Sequence, residues 1–215
     1  MENDSIHRIC NYASCKLNQL QLLLGSFNKI FSAGFQLYSN RCYQHMKTTM
    51  DKLKAHCPSL KRTYDDSFGV YPCWSFNLGK QTACCPHTDH LNLAQGWCSI
   101  SPVGSFDPKE GGHIILWNLK LVADFPAGAT VLIPSALITH SNTAVKPYET
   151  RYSIVQYAAG GLFRWVENGF MSDIDWQQRA SENDIKQRKE ERENRWRQAS
   201  SMFMKLSEFH STTES

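Results

Sequence analysis

The sequence predicts an α+β protein in which a β core, folded as a compact sandwich or barrel, follows amphipathic helices and precedes a charged helix. Residues 14–30 and 35–57 carry apolar positions near helical spacing, and Pro58 ends the second segment. From about Tyr71 the chain changes to short apolar runs separated by glycine and proline. Strands that recur roughly every ten residues between turn residues indicate a sheet that closes to limit its edge strands.

A third observation concerns the C-terminal region, where the composition changes after Gly169. Residues 181–209 alternate in charge sign, which predicts a solvated helix. Ser181 followed by Asp184 resembles a capping box, although Glu or Gln is the better third residue after the cap. We expect this helix to pack through four apolar residues, Trp196, Met202, Phe203 and Leu206. The alternative is a nucleic-acid-binding arm.

Length and composition fit one principal domain with helical additions. The 215 residues are 41% hydrophobic and 12% aromatic, which is sufficient for one buried core. We divide the chain into an N-terminal helical segment (1–60), the β core (61–175) and a C-terminal helix with its tail (176–215). The formal charge of +3 excludes a histone-like polycation, so any nucleic-acid contact requires a local basic face.

The N-terminal region does not resemble a secretory signal. It opens with acidic residues and contains only the short apolar run LQLLLG. The sequence contains no apolar stretch of the length needed to cross a bilayer. We therefore expect a nuclear or cytoplasmic protein, in which the eight cysteines are buried small hydrophobes and not disulfide partners.

The residues best suited to catalysis lie in CCPHTDHLNL, residues 84–93. His87 and Asp89 follow the candidate strand WSFNL, and side chains two apart near a strand end can point the same way. His140, at the end of TVLIPSALITH, is the candidate for a third ligand. Two histidines and a carboxylate form a facial triad, which leaves adjacent positions on Fe(II) for a bidentate 2-oxo acid and for dioxygen. Zinc more often takes a tetrahedral ligand set that includes one water.

A cation must then hold the far carboxylate of the 2-oxo acid. Arg151 follows His140 on TRYSIVQY, and a guanidinium binds a carboxylate through two parallel hydrogen bonds while it stays charged when buried. Ser153 lies on the same strand face and can add a hydroxyl donor. The alternative for Arg151 is an ordinary surface residue on a strand.

Residues 71–170 carry HTD, EGGHIILWNL, FPAGATVLIPSALITHSN and ETRYS, and they resemble the double-stranded β-helix, or jelly roll, of Fe(II)/2-oxoglutarate dioxygenases. More closely, the chain resembles the TET/JBP family of nucleic-acid-base dioxygenases, in its fungal branch. The resemblance implies an iron site formed by His87, Asp89 and His140. It implies a 2-oxoglutarate site formed by Arg151 and Ser153, with dioxygen as the other co-substrate. The implied substrate is DNA with a methylated base, either 5-methylcytosine or N6-methyladenine.

The resemblance also implies residues that contact the base. Asn92 stands where the family has an Asn or Asp that hydrogen-bonds the target base, and Tyr157 stands where an aromatic ring stacks on the flipped-out base. The alternatives are that Asn92 caps the loop backbone and that Tyr157 fills the core. Ala159 departs from the family, because members that act on 5-methylcytosine commonly carry a histidine there. Gly160 and Gly161 would leave room for a larger purine.

The other polar residues near the motifs are expected to be structural. His90 and His113 are assigned no chemistry, and Cys84 and Cys85 have no base at an evident spacing that would make them nucleophiles. Five loop cations either contact phosphates or are ordinary surface residues, namely Lys61, Arg62, Lys80, Lys109 and Arg164.

Two other functions stay open at the level of sequence. One is a dioxygenase of the same fold that hydroxylates a protein, a lipid or a small molecule. The other is a non-enzymatic binding module. The four residues of the metal and co-substrate motif argue against the second, because a protein without this chemistry has no reason to retain them together.

Overall fold

Two antiparallel sheets form the centre of the protein. The computed structural model describes residues 31–59, 69–205 and 207–208. The strands are β1 (Cys73–Asn77), β2 (Cys98–Ser105), β3 (Ile114–Leu116), β4 (Leu121–Ala123), β5 (Val131–Ile133), β6 (His140–Asn142) and β7 (Thr150–Tyr157). One sheet has the order β1-β7-β2-β5 and the other has the order β4-β3-β6. The predicted combination of helices with an antiparallel β core is therefore confirmed.

The chain passes between the two sheets as it proceeds. β3 and β4 belong to the smaller sheet, β5 returns to the larger one, β6 lies again in the smaller one, and β7 closes the larger sheet between β1 and β2. The two inner faces meet in one buried cluster, which contains Ile100 and Ile133 from the larger sheet and Ile114 and Leu116 from the smaller. Full burial of such a side chain stabilises the fold by about 1.5–3 kcal/mol, so this cluster holds the sheets together.

The long pairing of β2 with β7 fixes which side chains face the interior. The two strands pair from Ser99 opposite Gln156 to Ser105 opposite Thr150. Because successive side chains of a strand point to opposite faces, every second residue of β7 faces the space between the sheets. Arg151 and Ser153 lie on that face, as the sequence predicts.

The helices pack at the side of this core. The helix α1 (Asn40–His56) and the helix α2 (Gly160–Glu167) are in contact. The buried residues of α1 include Cys42, Met46, Met50 and Leu53, whose spacing places them on one helical face, and they join Phe163 of α2 in a second buried cluster. The predicted helix 35–57 is interrupted, since residues 31–38 are helical and α1 begins after Ser39. The predicted helix 14–30 lies outside the described residues.

The C-terminal region contains the helices α3 (Asp173–Arg179) and α4 (Glu182–Ser201). The capping box of Ser181 and Asp184 is confirmed, with each side chain bonded to the other residue's backbone N–H. The expectation that Trp196 packs on the core is wrong, because its side chain is 65% exposed and α4 contains no buried residue. Met202, just after the helix, does pack against the helical cluster, and Phe203 is half-buried. Leu206 lies outside the described residues.

No helix in the described part of the chain combines the length and the apolar composition that a membrane span requires. The six cysteines of that part are all free. Cys42 and Cys98 are buried as expected, and burial raises the pKa of each thiol to about 12. Cys85 is exposed, so the expectation of buried cysteines is wrong for it.

Candidate metal centre and co-substrate cavity

A cavity of about 500 Å³ lies between the two sheets. Its walls come from β1, β6, β7 and the segment 84–92, and the apolar side chains of Ile100 and Ile114 line it as well. Those two residues also belong to the buried cluster that joins the sheets, so the cavity is bounded by the core of the fold. Concave sites with an apolar lining and a few convergent polar groups are the usual form of ligand pockets.

Three metal-ligand side chains converge on this cavity. His87, Asp89 and His140 each offer one atom, and these atoms lie within 4.8 Å of one another. The Nε2 atoms of His87 and His140 lie 3.6 and 4.0 Å from the two carboxylate oxygens of Asp89. Both separations are too long for hydrogen bonds, so the three groups surround a common point without bonding to one another.

Backbone pairing brings the three residues together. His87 and His140 form an antiparallel bridge, in which each backbone N–H donates to the carbonyl of the other at 3.1 and 2.9 Å. The backbone N–H of Asp89 donates to the carbonyl of Ser135 at 3.0 Å. Asp89 is thereby attached to the turn before β6. His87 is attached to β6 itself, which begins with His140.

Both imidazoles are held in the tautomer that suits a metal. Nδ1 of His87 lies 2.9 Å from the carbonyl oxygen of Cys85, and Nδ1 of His140 lies 2.9 Å from that of Ile138. A carbonyl only accepts, so each Nδ1 carries the hydrogen and each Nε2 keeps its lone pair. The side chain of His140 is buried, whereas that of His87 is 43% exposed, so the site is open to solvent on one side.

Asn92 supports the carboxylate of Asp89. Its amide nitrogen donates to Oδ2 of Asp89 at 3.3 Å and to the hydroxyl of Ser135 at 3.2 Å. Ser135 is almost fully buried, and its backbone carbonyl accepts the backbone N–H of Asp89, so Ser135 holds the backbone of Asp89 while Asn92 holds its carboxylate. Asn92 lines the cavity, but its amide nitrogen is already used within the protein.

Arg151 lies in the wall of the same cavity and is only 2% exposed. Its Nη1 donates to the carbonyl of Thr82 at 3.0 Å, while its buried Nε has no hydrogen-bond partner. Among the described residues no carboxylate pairs with this guanidinium, and burial lowers its pKa. Burial of an unpaired cation is unfavourable by several kcal/mol, so Arg151 is a ready partner for an anion in the cavity.

Ser153 lies two residues further on the same face and also lines the cavity. Its hydroxyl oxygen accepts a hydrogen bond from Nδ2 of Asn77 at 2.8 Å. This bond uses the oxygen as an acceptor, so the hydroxyl hydrogen is free to point at a ligand. Arg151 and Ser153 therefore present donors to the same space.

Three further residues shape the site, and the sequence analysis missed them. Asn77 orients Ser153, and Ser135 orients Asp89 and Asn92. Asn142 accepts from the backbone N–H of Cys84 at 3.0 Å and donates to the carbonyl of Thr82 at 3.2 Å, which fixes the loop beside Arg151. The sequence carries no signal for these contacts, because strand pairing brings the partners together.

Of the residues expected to lie near a base, Tyr157 lines the cavity and Ala159 does not. Tyr157 is half-buried and lines the cavity beside Val155. Ala159 is not among the residues that line the cavity. Its backbone forms a β-bridge with Asn92 just before α2. Gly160 donates its N–H to the carbonyl of Leu91, and it begins α2 together with Gly161. The expectation that these glycines enlarge the cavity is wrong, because both belong to the helix and neither lines the cavity.

The two histidines expected to be structural also differ. His113 has its Nδ1 3.1 Å from the hydroxyl of Thr143, which confirms a hydrogen-bonded structural imidazole. His90 is exposed and lines the cavity, and its assignment as a structural residue stays a prediction. Cys84 lines the cavity as well, whereas Cys85 contributes its carbonyl to His87.

The candidate loop cations are mostly engaged elsewhere. Lys109 forms an ion pair with Asp124, and Arg164 pairs with Asp173 at 2.8 Å. Lys80 is exposed, and its carbonyl accepts the backbone N–H of Arg151. Lys61 and Arg62 lie outside the described residues.

Solved structures that are similar to part of the chain include a DNA complex and a hydroxylase. NgTET1 in complex with 5mC DNA is 18% identical with a TM-score of 0.39, and the match covers 58% of this chain and 51% of that one. The viral collagen prolyl hydroxylase vCPH from Paramecium Bursaria Chlorella virus-1, in a 2OG complex, is 13% identical with a TM-score of 0.29 and coverages of 51% and 70%. The chain thus spans about half the length of NgTET1. No protein-family model and no curated protein matches the chain.

The geometry of the site fits Fe(II) together with a 2-oxo acid. The donor set of two imidazole nitrogens and one carboxylate is the facial arrangement that leaves metal positions open. The guanidinium of Arg151 and the hydroxyl of Ser153, both in the wall of the cavity, supply donors for a carboxylate there. The residues present therefore match both groups.

Proposed function

We propose that the protein is an Fe(II)/2-oxoglutarate-dependent dioxygenase. The observation that carries the proposal is Arg151, a buried guanidinium without a carboxylate partner in the described part of the chain, in the cavity that also contains the three metal ligands. A dicarboxylate that binds the metal through its 2-oxo acid end and Arg151 through its other end would satisfy both groups. Metal ligands alone would suit several metals, whereas the unpaired cation specifies the anionic co-substrate.

Each residue of the site has a defined role under this proposal. His87 and His140 direct neutral Nε2 atoms at the metal, and Asp89 supplies the third ligand and reduces the local charge. Asn92 holds the Asp89 carboxylate in place, as hydrogen-bonded neighbours of metal ligands commonly do. When bound, Fe(II) and the 2-oxo acid supply the oxidation of a C–H bond by dioxygen, while the protein supplies orientation and the apolar walls that limit water.

The proposed fold is the double-stranded β-helix. The passage of β3 to β7 between the two sheets supports it. The bridge between His87 and His140 adds a further short segment beside β6 in the smaller sheet. With that segment each sheet consists of four chain segments, which is the expected form of this jelly roll.

The proposed substrate is the methyl group of a methylated DNA base, 5-methylcytosine or N6-methyladenine. Tyr157 supports it, because an aromatic ring in the cavity wall provides a face on which an extruded base can stack. Beside it Val155 and Ile100 supply apolar surface. The resemblance of HTD, ETRYS and the residues after them to base dioxygenases supports the same substrate class.

The test uses anaerobically purified protein with Fe(II) and 2-oxoglutarate. Duplex oligonucleotides carrying either methylated base are incubated with it, and nucleosides and succinate are quantified by mass spectrometry. Asp89→Ala should abolish both products, while Asp51→Ala, which removes an exposed carboxylate from α1, should leave both unchanged. Succinate without any change in either base would refute the DNA-base substrate and favour a protein or small molecule. The absence of succinate would refute the dioxygenase assignment.

A further inference from the structure

Four arginines from α2 and α4 line a second pocket, of about 170 Å³, at the helical side of the protein. We call Arg164, Arg188, Arg192 and Arg195 the arginine cluster. Two carboxylates, those of Glu167 and Asp173, line the same pocket. Four positive and two negative side chains leave two positive charges in excess, so the pocket favours an anion.

Two members of the cluster are held by the protein. Arg164 forms an ion pair with Asp173 at 2.8 Å. Arg188 donates to the side-chain carbonyl of Asn168, and its guanidinium carbon lies 3.3 Å from the ring centre of Trp176. These contacts fix the direction of both guanidinium groups and leave part of each donor set available.

The other two members have no such partner. Arg192 and Arg195 are exposed, and within the described residues no carboxylate pairs with either of them. Long solvated side chains would ordinarily spread away from like charges, yet both line the same pocket as Arg188. Convergence of unpaired guanidinium groups is the arrangement that proteins use to bind phosphate.

The spacing along α4 suits a polymer of phosphates. Arg188, Arg192 and Arg195 are four and three residues apart, which places them on one helical face. The stripe is about 10 Å long at a rise of 1.5 Å per residue. One DNA strand presents a phosphate about every 3.4 Å along the duplex axis, so the stripe is long enough to contact more than one phosphate.

One member of the arginine cluster, Arg164, lies near the start of α2, which is bonded to the rim of the catalytic cavity. Leu91 lines that cavity, and its carbonyl accepts the N–H of Gly160 at 2.9 Å. A Cβ added at the next residue, Gly161, would lie 3.9 Å from Nη2 of Arg164. A DNA strand that delivers a base to the cavity can therefore continue over the start of α2 onto the cluster.

We infer that the arginine cluster binds the phosphate backbone of the DNA whose base enters the catalytic cavity. The choice of DNA as the ligand rests on the proposed function. Phosphate contacts of this kind position a duplex and carry no sequence information. The cluster would thus supply affinity and register, and the cavity would select the base.

The experiment compares two double variants of the same helix that lose equal charge. Arg192→Gln with Arg195→Gln removes the two unpaired members of the cluster, and Lys186→Gln with Lys189→Gln removes two cations from another face of α4. Binding of an unmethylated fluorescent duplex is measured by anisotropy over a series of salt concentrations. Circular dichroism verifies that both variants retain their helices.

The arginine variant should bind the duplex about ten- to a hundredfold more weakly at ~0.1 M salt, with a salt slope smaller by about two. The lysine variant should show a much smaller decrease in duplex affinity than the arginine variant. Equal losses in the two variants would show only diffuse attraction and would overturn the inference, as would unchanged binding by the arginine variant.

The inference and the proposed function can fail separately. Wild-type protein that binds duplex through the arginine cluster but forms no succinate leaves the inference standing and refutes the proposed enzyme. Wild-type protein that forms succinate from 2-oxoglutarate but binds no duplex supports the proposed enzyme and refutes the inference.

Discussion

Replacement of Arg151 by methionine should greatly weaken co-substrate binding while the protein stays folded. The guanidinium is buried, its Nε is unbonded, and its Nη1 donates to the carbonyl of Thr82. Methionine keeps an unbranched apolar side chain in this position and removes the charge. Because the charge has no partner in the described structure, its removal eliminates a desolvation penalty and loses one hydrogen bond. We therefore expect the free energy of unfolding to fall by no more than about 1 kcal/mol, the contribution of the lost hydrogen bond.

The loss in the free energy of 2-oxoglutarate binding should be much larger than the change in the free energy of unfolding. Truncation of one partner of a buried, hydrogen-bonded charge pair costs about 2–5 kcal/mol. At about 1.4 kcal/mol for each factor of ten, the dissociation constant of 2-oxoglutarate should rise by roughly one and a half to three and a half orders of magnitude. Arg151→Lys keeps the charge but loses the fork of two parallel bonds, so its affinity should lie between those of the wild type and the methionine variant.

Isothermal titration with 2-oxoglutarate, on anaerobic Fe(II)-loaded protein, measures this effect. Metal affinity is measured in parallel by competition with a chelator, and it should be unchanged. Arg179→Met, which removes a cation at the end of α3, serves as the matched control and should bind the co-substrate as the wild type does. Wild-type affinity of Arg151→Met for 2-oxoglutarate, with the metal retained, would refute the argument that the unpaired guanidinium is the anion site.

Three further results are expected. Asn92→Ala should lower Fe(II) affinity about 10- to 100-fold in a chelator competition, because the amide no longer orients the carboxylate ligand, and unchanged affinity would exclude that role. Gly112→Ala should destabilise the protein by roughly 1–3 kcal/mol in denaturant unfolding, because this residue has a φ of 73° and a Cβ would lie 2.7 Å from the ring of Phe106. The hydrogen bond from Asn168 and nearby arginines hold the pKa of Asp173 below its ordinary 3.8, so its stabilising effect is complete above that pH and is lost as pH falls through the lower folded-state pKa. The protection factors of the α3 amides, corrected for the pH dependence of intrinsic exchange, should therefore fall in acid for the wild type, and the variant Asp173→Asn should lack this step.

Local patterns in the sequence were sufficient to predict several elements. Every second residue of β7 faces the cavity, as the alternation in TRYSIVQY predicts, so Arg151 and Ser153 could be placed on one face from spacing alone. The buried residues of α1 recur at helical intervals, and the start of α4 follows from Ser181 and Asp184. In each of these cases the residue pattern and the structural element that it predicts lie in the same short stretch of chain.

The remaining features depend on residues far apart in the chain. Asn77 bonds Ser153 across 76 positions, and Asn92 bonds Ser135 across 43. Neither pair can be found without knowing that β1 pairs with β7 and that the loop after His87 lies against the turn before β6. The sequence alone therefore predicts a ligand contact or a loop cap for a polar residue such as Asn92. In the structure its side chain donates a hydrogen bond to the carboxylate of Asp89.

Under the proposed function, charge gives a reason for a metal and a dicarboxylate to share one cavity. Asp89 and Arg151 line the cavity with opposite charges, but no ion pair between them is formed. A divalent metal beside Asp89 would leave the cavity with two excess positive charges when Arg151 is counted. A dicarboxylate carries two negative charges, so with both groups bound the net charge of the site is zero. Because uncompensated charge is most costly where water is excluded, the co-substrate should bind the metal-loaded protein more tightly than the metal-free one, and by linkage it should strengthen metal binding equally.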